Sequence, residues 1–336
     1  MFPEPGAPLM MPWALRVAGT LCLADLMADG LSRPEELAAC SGAHPGSLER
    51  LLRYLVCRGY FAEPEPGRFT LNDRAETLLS AHPSGLRARM DADGAFGRTD
   101  QVISHLLTTI RTGRPAYAQV HGRPFFDDLA VSAGRSAPFD AVMRDRLGVD
   151  LPHLLDAYDW AAAGSVADVG GGTGGLLAAL LTAHPGLHGT LVDLPVTAER
   201  AAQSLRSAGL ADRCQIVAGN FFEPLPGGRH VYVLRNILHD WDDERATAIL
   251  RNCRQAAGPD GRILVIELVM GDADTLTMTT AHDLFMLLIC GGKERDLAQF
   301  GRLAADAELH LSAARALPSG SWLLELRTPA ETEETG

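Results

Sequence analysis

Asp168-Val169-Gly170-Gly171-Gly172-Thr173-Gly174-Gly175 decides how this chain is read. The short apolar run Val166 to Val169 leads into it, and the leucine-rich stretch Leu176 to Ala183 leads out. Strand, glycine turn and helix in that order make a cradle for a nucleotide-type ligand. The glycines allow the turn and the close approach of a ligand to the backbone, and the helix start offers free N–H groups. Asp193 ends the next apolar run, about twenty residues on, where a carboxylate can accept ribose hydroxyls.

The spacing Gly170-x-Gly172-x-x-Gly175 alone suits NAD or S-adenosylmethionine equally. Asp168 separates them. A carboxylate there repels a pyrophosphate and favours an ammonium or sulfonium group. Position points the same way, because a dehydrogenase often begins with its dinucleotide unit and this one starts near residue 165.

From Ser165 onward, strand-like and helical runs alternate. The strands are expected at Val166 to Val169, Gly189 to Val192, Cys214 to Ala218, Val231 to Arg235 and Arg262 to Glu267. Helices are expected between them, as at Leu176 to Ala183 and Thr197 to Ala208. This alternation predicts a parallel sheet with helices on both faces, an α/β Rossmann-like domain over 159–330. About sixty residues after the glycine run, Asn236-Ile237-Leu238-His239-Asp240-Trp241-Asp242-Asp243-Glu244 places a histidine beside the cradle.

Toward the N-terminus the pattern changes. Leu21 to Met27 has helical spacing, Ser32 or Arg33 with Pro34 opens a helix, and Ser47 is a candidate N-cap for Leu48 to Arg58. Leu51, Leu52, Leu55 and Val56 form one stripe, and Gly59 suits the residue after the helix. Tyr60-Phe61-Ala62 and Arg68-Phe69-Thr70-Leu71 flank a Pro/Gly-rich turn. Helices followed by a hairpin predict a mostly helical, winged-helix-like domain over 1–95. A helical linker and pocket region follows over 96–158, and an acidic flexible tail closes the chain at 331–336.

Composition bounds the rest. The chain has 336 residues, 46% of them apolar, and a formal net charge of −12. That charge argues against nucleic acid and anionic membrane as partners. Residues 1–90 carry nine arginines against ten carboxylates, so the winged helix does not present a basic DNA-binding surface. No signal peptide and no membrane span is read. The six cysteines, Cys22, Cys40, Cys57, Cys214, Cys253 and Cys290, form no CxxC pair. They read as reduced thiols of a cytoplasmic protein, with no zinc site.

With these motifs assembled, the chain resembles the caffeate/acetylserotonin type of class I S-adenosylmethionine-dependent O-methyltransferase. Within that type it is similar to the bacterial branch that tailors aromatic polyketides in antibiotic biosynthesis, the naphthoate-methylating members of enediyne assembly among them. The resemblance runs from the N-terminal helices to about Leu326. It rests on Asp168 to Gly174, Leu191-Val192-Asp193-Leu194-Pro195, Gly219-Asn220-Phe221-Phe222, Leu238-His239-Asp240-Trp241 and Gly291-Gly292-Lys293-Glu294-Arg295. It implies a homodimer in which the N-terminal helices of one subunit close the pocket of the other. It also implies that His239 is the general base, with Glu267 and Glu294 flanking its imidazole. The cofactor S-adenosylmethionine would contact Asp168, Gly170, Gly171, Gly172, Asp193, Asn220, Phe221 and Arg235. Where this chain has Asn220 the family usually has aspartate, so the adenine amino group would lose a charged acceptor.

The chemistry of the residues agrees with that role. A phenol with a pKa of about 10 is protonated at neutral pH, and a histidine near 6.5 can take its proton during attack on a methyl group. A carboxylate on the other ring nitrogen fixes the tautomer. No metal is required, and no acid cluster suits magnesium. Phe126, Met143, His282 and Met286 are candidates for the wall around an aromatic acceptor, and each is also readable as packing. The rival within this fold is a relative that uses bound S-adenosylmethionine for hydroxylation or other non-methylating chemistry. By the resemblance such relatives lack the histidine base, and His239 is present here.

Overall fold

A computed structural model of the chain describes residues 7–271 and 276–329; the tail expected at 331–336 lies outside them. The described residues fall into two compact units. One holds residues up to Ser104 together with Phe126–Ala141, the other His105–Phe125 together with the residues from Val142 on. The middle segment 96–158 is shared between the two.

In the first unit, helices Ala7–Thr20, Leu23–Ala28, Pro34–Ser41 and Pro45–Cys57 precede a hairpin of β1 (Ala62–Glu65) and β2 (Arg68–Thr70). Leu23, Leu37, Leu52, Leu55, Phe61 and Phe69 form its buried centre. The fourth helix begins three residues earlier than Leu48, the start expected from the sequence. Pro45 is pre-set to helical φ, so His44 rather than Ser47 is the cap, its Nδ1 accepting the Ser47 amide at 3.3 Å. Gly59 follows the helix with φ 81°.

The second unit is built on seven strands. They are β3 (Ser165–Val169), β4 (His188–Asp193), β5 (Cys214–Ala218), β6 (Val231–Arg235), β7 (Arg262–Leu268), β8 (His310–Ala316) and β9 (Ser321–Arg327), in the order β5-β4-β3-β6-β7-β9-β8. The first five strands in sequence are parallel as expected. The sheet as a whole is mixed, because β9 runs antiparallel to both β7 and β8. The alternation of strand and helix could not show this last pair. A tight turn at Leu317 to Gly320 joins them directly, and β8 is an exposed edge, Leu311-Ser312-Ala313-Ala314, with little to mark it as a strand.

Both faces of the sheet are covered, and the pleat sorts side chains between them. Val166, Val231, Val233, Leu264 and Ile266 enter one core with the helix Gly175–Ala183. Ala167, Val169, Tyr232, Leu234, Ile263 and Val265 enter the other with the helix Asp243–Ala257. Strand order reverses at β3, whose neighbours are β4 and β6. The carboxyl ends of strands on either side of such a reversal leave a crevice. Asp168 and the glycine run, Asp193 and Arg235 stand at those ends. Among the described residues, no helix is long and apolar enough to cross a membrane.

Candidate active site

The glycine loop leaves β3 and enters the helix Gly175–Ala183. Gly170 and Gly172 adopt φ of 71° and 59°, the left-handed region that glycine occupies without strain. A Cβ at Gly170 would run into Ile237, and one at Gly171 would come within 2.7 Å of the Asp168 carboxyl. Asp193 closes the loop from β4. Its Oδ2 accepts the Gly172 amide at 2.8 Å and its Oδ1 the Leu194 amide at 2.7 Å. Asn220 accepts the Phe222 amide at 3.0 Å, and the Phe221 ring lies 6.0 Å from that of Trp241.

Asp168 is buried, and its Oδ2 has no hydrogen-bond partner among the described residues. Burial pushes its pKa up to about 7, although Arg235 pulls it down; Asp193 adds to the rise. A buried carboxylate oxygen without a partner, beside a glycine cradle, can accept from the N–H groups of a cationic amine. Arg235 is otherwise committed. Its Nη2 lies 2.6 Å from Asp150, which also accepts the Ser321 hydroxyl at 2.9 Å.

The histidine stands on a short turn after β6. Asn236 takes φ 52° and donates its amide to the Ile266 carbonyl at 3.0 Å. Asparagine tolerates this conformation better than most residues. The chain then folds into a 3₁₀ turn, Leu238–Asp240. Glu267, near the end of β7, holds that turn. Its Oε1 accepts the amides of Ile237 at 3.1 Å, Leu238 at 2.6 Å and His239 at 3.2 Å. The sequence reading put Glu267 beside the imidazole. The structure shows its Oε1 on the backbone, because the turn aims its amides at the strand end, and its negative charge also acts on the ring. Burial raises the Glu267 pKa despite His239 and these amides.

The carbonyls of the same turn are held by a residue to which the sequence reading gave no role. Arg295 is buried and donates to the Leu238 carbonyl at 2.9 Å and the Trp241 carbonyl at 2.9 Å. Its Nε reaches Asp243 at 2.9 Å. The signal was present in Gly291-Gly292-Lys293-Glu294-Arg295. Gly292 packs on the His239 carbonyl, which accepts the Lys293 amide at 2.9 Å.

On the imidazole, Nδ1 lies 2.9 Å from Glu294 Oε1. A carboxylate only accepts, so Nδ1 carries the hydrogen, and Nε2 holds the lone pair of the neutral ring. Asp240 Oδ1 is 3.6 Å from Nε2. Burial works against charge on His239, yet Asp240, Glu294 and Glu267 together raise its pKa to about 9. Asp240 rises to about 7 through burial, against the pull of His239. Glu294 is lowered to about 2, since the hydrogen bonds from His239 and His282 outweigh its burial.

The four pocket candidates separate. His282 joins the histidine cluster, its Nδ1 2.7 Å from Glu294 Oε1. Met286 is buried, and its carbonyl accepts the amides of Cys290, Gly291 and Gly292 at the end of the helix Leu276–Ile289. Met143 is half-buried on the long helix Ala133–Ala157. Phe126, also half-buried, belongs to the first unit.

Comparison with known proteins fits this geometry. Residues 103–309 match the family model of the O-methyltransferase domain, and residues 8–81 that of the O-methyltransferase dimerisation domain. The chain is 47% identical over 308 residues to the 2,7-dihydroxy-5-methyl-1-naphthoate 7-O-methyltransferase of Streptomyces carzinostaticus, covering 92% of each. It is 42% identical over 322 residues to the aclacinomycin 10-hydroxylase RdmB of Streptomyces purpurascens, covering 94% of this chain and 85% of that one. The crystal structure of NcsB1, an O-methyltransferase from neocarzinostatin biosynthesis in complex with S-adenosylmethionine and 2-hydroxy-5-methyl naphthoic acid, superposes with a TM-score of 0.88. The identity is 44%, and 98% of this chain and 99% of that one are covered. With a dimerisation module, a mixed seven-stranded sheet and a histidine turn beside its glycine cradle, this chain belongs to the O-methyltransferase family.

Proposed function

We propose that this enzyme methylates a phenolic hydroxyl of a fused aromatic, polyketide-type acceptor, with S-adenosylmethionine as methyl donor and His239 as general base. The observation that carries the reading is the 2.9 Å contact between His239 Nδ1 and Glu294 Oε1. Glu294 accepts a hydrogen bond from Nδ1–H, which leaves Nε2 to receive a proton. A base near 9 is well matched to a phenol of about 10, so the transfer is only slightly uphill. The same match leaves most of the base protonated at neutral pH, so turnover rises as the medium becomes alkaline.

The residues of the cradle suit the donor. When bound, S-adenosylmethionine supplies an electrophilic methyl group on sulfur. Asp168 would pair with its ammonium group, Gly170, Gly171 and Gly172 would give it backbone access, and Asp193 would accept from ribose hydroxyls. Asn220 and Phe221 would meet the adenine. Arg235 would act through its ion pair with Asp150. Met143 and Met286 are our candidates for the acceptor wall, and we read no role for a metal in the reaction. The acceptor class follows the naphthoate named for the S. carzinostaticus relative and the naphthoic acid bound to NcsB1. The enzyme works as a homodimer through its dimerisation domain. We read it as a cytoplasmic enzyme, a reading that its six free cysteines support.

Incubation with methyl-labelled S-adenosylmethionine and a panel of hydroxynaphthoates and hydroxyanthraquinones tests the reading. Label should appear on an aromatic oxygen. The 42% identity to a hydroxylase defines the competing outcome. A product that gains oxygen and no label would replace the proposal.

A further inference from the structure

His282 and His239 share one carboxylate oxygen. Glu294 Oε1 accepts His239 Nδ1 at 2.9 Å and His282 Nδ1 at 2.7 Å, so the second histidine makes the shorter bond. Glu294 Oε2 is buried with no partner among the described residues, so no other donor relieves that oxygen. The two rings lie 5.6 Å apart at 30°, and the ring of His282 also stacks with Phe285 at 6.2 Å. The helix Leu276–Ile289 carries His282 and also anchors Glu294, because Asp283 accepts the Glu294 amide at 2.8 Å. One helix thus sets both the place of the carboxylate and its second donor.

We infer that His282 is a positioning residue: by taking half of Glu294 Oε1, it keeps the basicity of His239 below the value an undivided carboxylate would impose. This rests on His239 being the base. The physics has one sign in either charge state of His282. A neutral ring competes for the oxygen, which then accepts less strongly from His239. A charged ring adds like-charge repulsion. Both lower the His239 pKa. The other charged groups around His239 are Asp240, 3.6 Å from Nε2, Glu267 on the amides of the turn and Arg295 on the Leu238 and Trp241 carbonyls; the Cys290 thiol, held well above its ordinary pKa by burial, is influenced by Asp240 and Glu294. A change at position 282 removes none of them.

His282→Phe removes the donor and keeps a ring against Phe285. His282→Asn keeps a donor near the position of Nδ1. The acid limb of the kcat–pH profile should move up by about one unit in His282→Phe, the size of shift one lost neighbour commonly causes. His282→Asn should restore the limb. His282→Leu serves if the phenylalanine variant does not fold, and an unchanged Kd for S-adenosylhomocysteine reports an intact fold. NMR titration of the His239 ring should show the same upward shift without any turnover. A limb and a titration that stay in place, or an effect confined to acceptor KM, would overturn the inference and make His282 a direct acceptor contact. If instead the ring titration shifts while the kcat profile ignores it, the assignment of His239 as base is what has failed.

Discussion

Glu267 meets His239 through the backbone: its Oε1 accepts the His239 amide at 3.2 Å, together with the amides of Ile237 and Leu238. The ring of the same histidine is held by Glu294, from a different segment of the chain. The backbone position and the ring of His239 are thus held by two carboxylates, and the two contacts can be separated by mutation.

Glu267→Gln weakens the hold on three buried amides, and Glu294→Gln removes the charged acceptor of the ring. Both should lower kcat. In a His239→Ala background, Glu294→Gln should cost almost nothing further in kcat, because residues that act as a unit are not additive. Glu267→Gln should still lower Tm in that background, since buried amides that lose a charged partner cost about 1–3 kcal/mol whatever the ring at 239. Thermal melts and steady-state kinetics of the two double variants check this. A Tm loss for Glu267→Gln that disappears without the imidazole would return Glu267 to the ring.

His239→Ala should reduce kcat by about 10²–10⁴-fold, the range that a positioned base supplies. Binding of S-adenosylhomocysteine should change little, because the ring is held by Glu294 and the cradle by Asp193. Calorimetry and single-turnover rates measure the two effects independently. A fall below tenfold would remove His239 from the chemistry.

Cofactor affinity should depend on pH through Asp168. Its pKa in the free protein is about 7, and a bound ammonium group favours the ionised form. Protonated Asp168 must therefore lose its proton on binding, and Kd for S-adenosylhomocysteine should fall as pH rises through about 7. In Asp168→Asn that pH dependence should vanish and Kd should be higher throughout. A flat Kd in the native enzyme would place the cation elsewhere.

Gly292→Ala should cost activity although no charge or hydrogen bond is deleted. A Cβ there runs into the His239 carbonyl, backbone that cannot give way without moving the turn. An error of about 1 Å in a catalytic group is worth about 10²-fold in rate. The expected result is a large loss of kcat with Kd for S-adenosylhomocysteine little altered. Native kcat in Gly292→Ala would show that the turn has slack.

Much of this molecule was legible in its sequence, for a local reason. Turn chemistry and strand-then-helix periodicity act over a few residues, so the glycine run, Asp168 and the five parallel strands could be read directly. Asp193 was legible too, as an acid at a strand end that ties the loop through Gly172. His239 was marked by its place after β6. Other features depend on which distant segments meet. The pairing of β9 with β7 and β8 rests on an edge strand with almost no apolar pattern of its own. A glutamate at the end of β7 could serve a ring or a backbone, and only the path of the chain after Asn236 turns three amides toward it. Arg295 binds the carbonyls of a turn 57 residues away in sequence. The sharing of Glu294 between His239 and His282 joins residues 55 and 12 positions away. Sequence determined which groups the site contains. The tertiary structure decided which atom each group binds, because a buried polar atom goes to whichever partner the packing brings within reach.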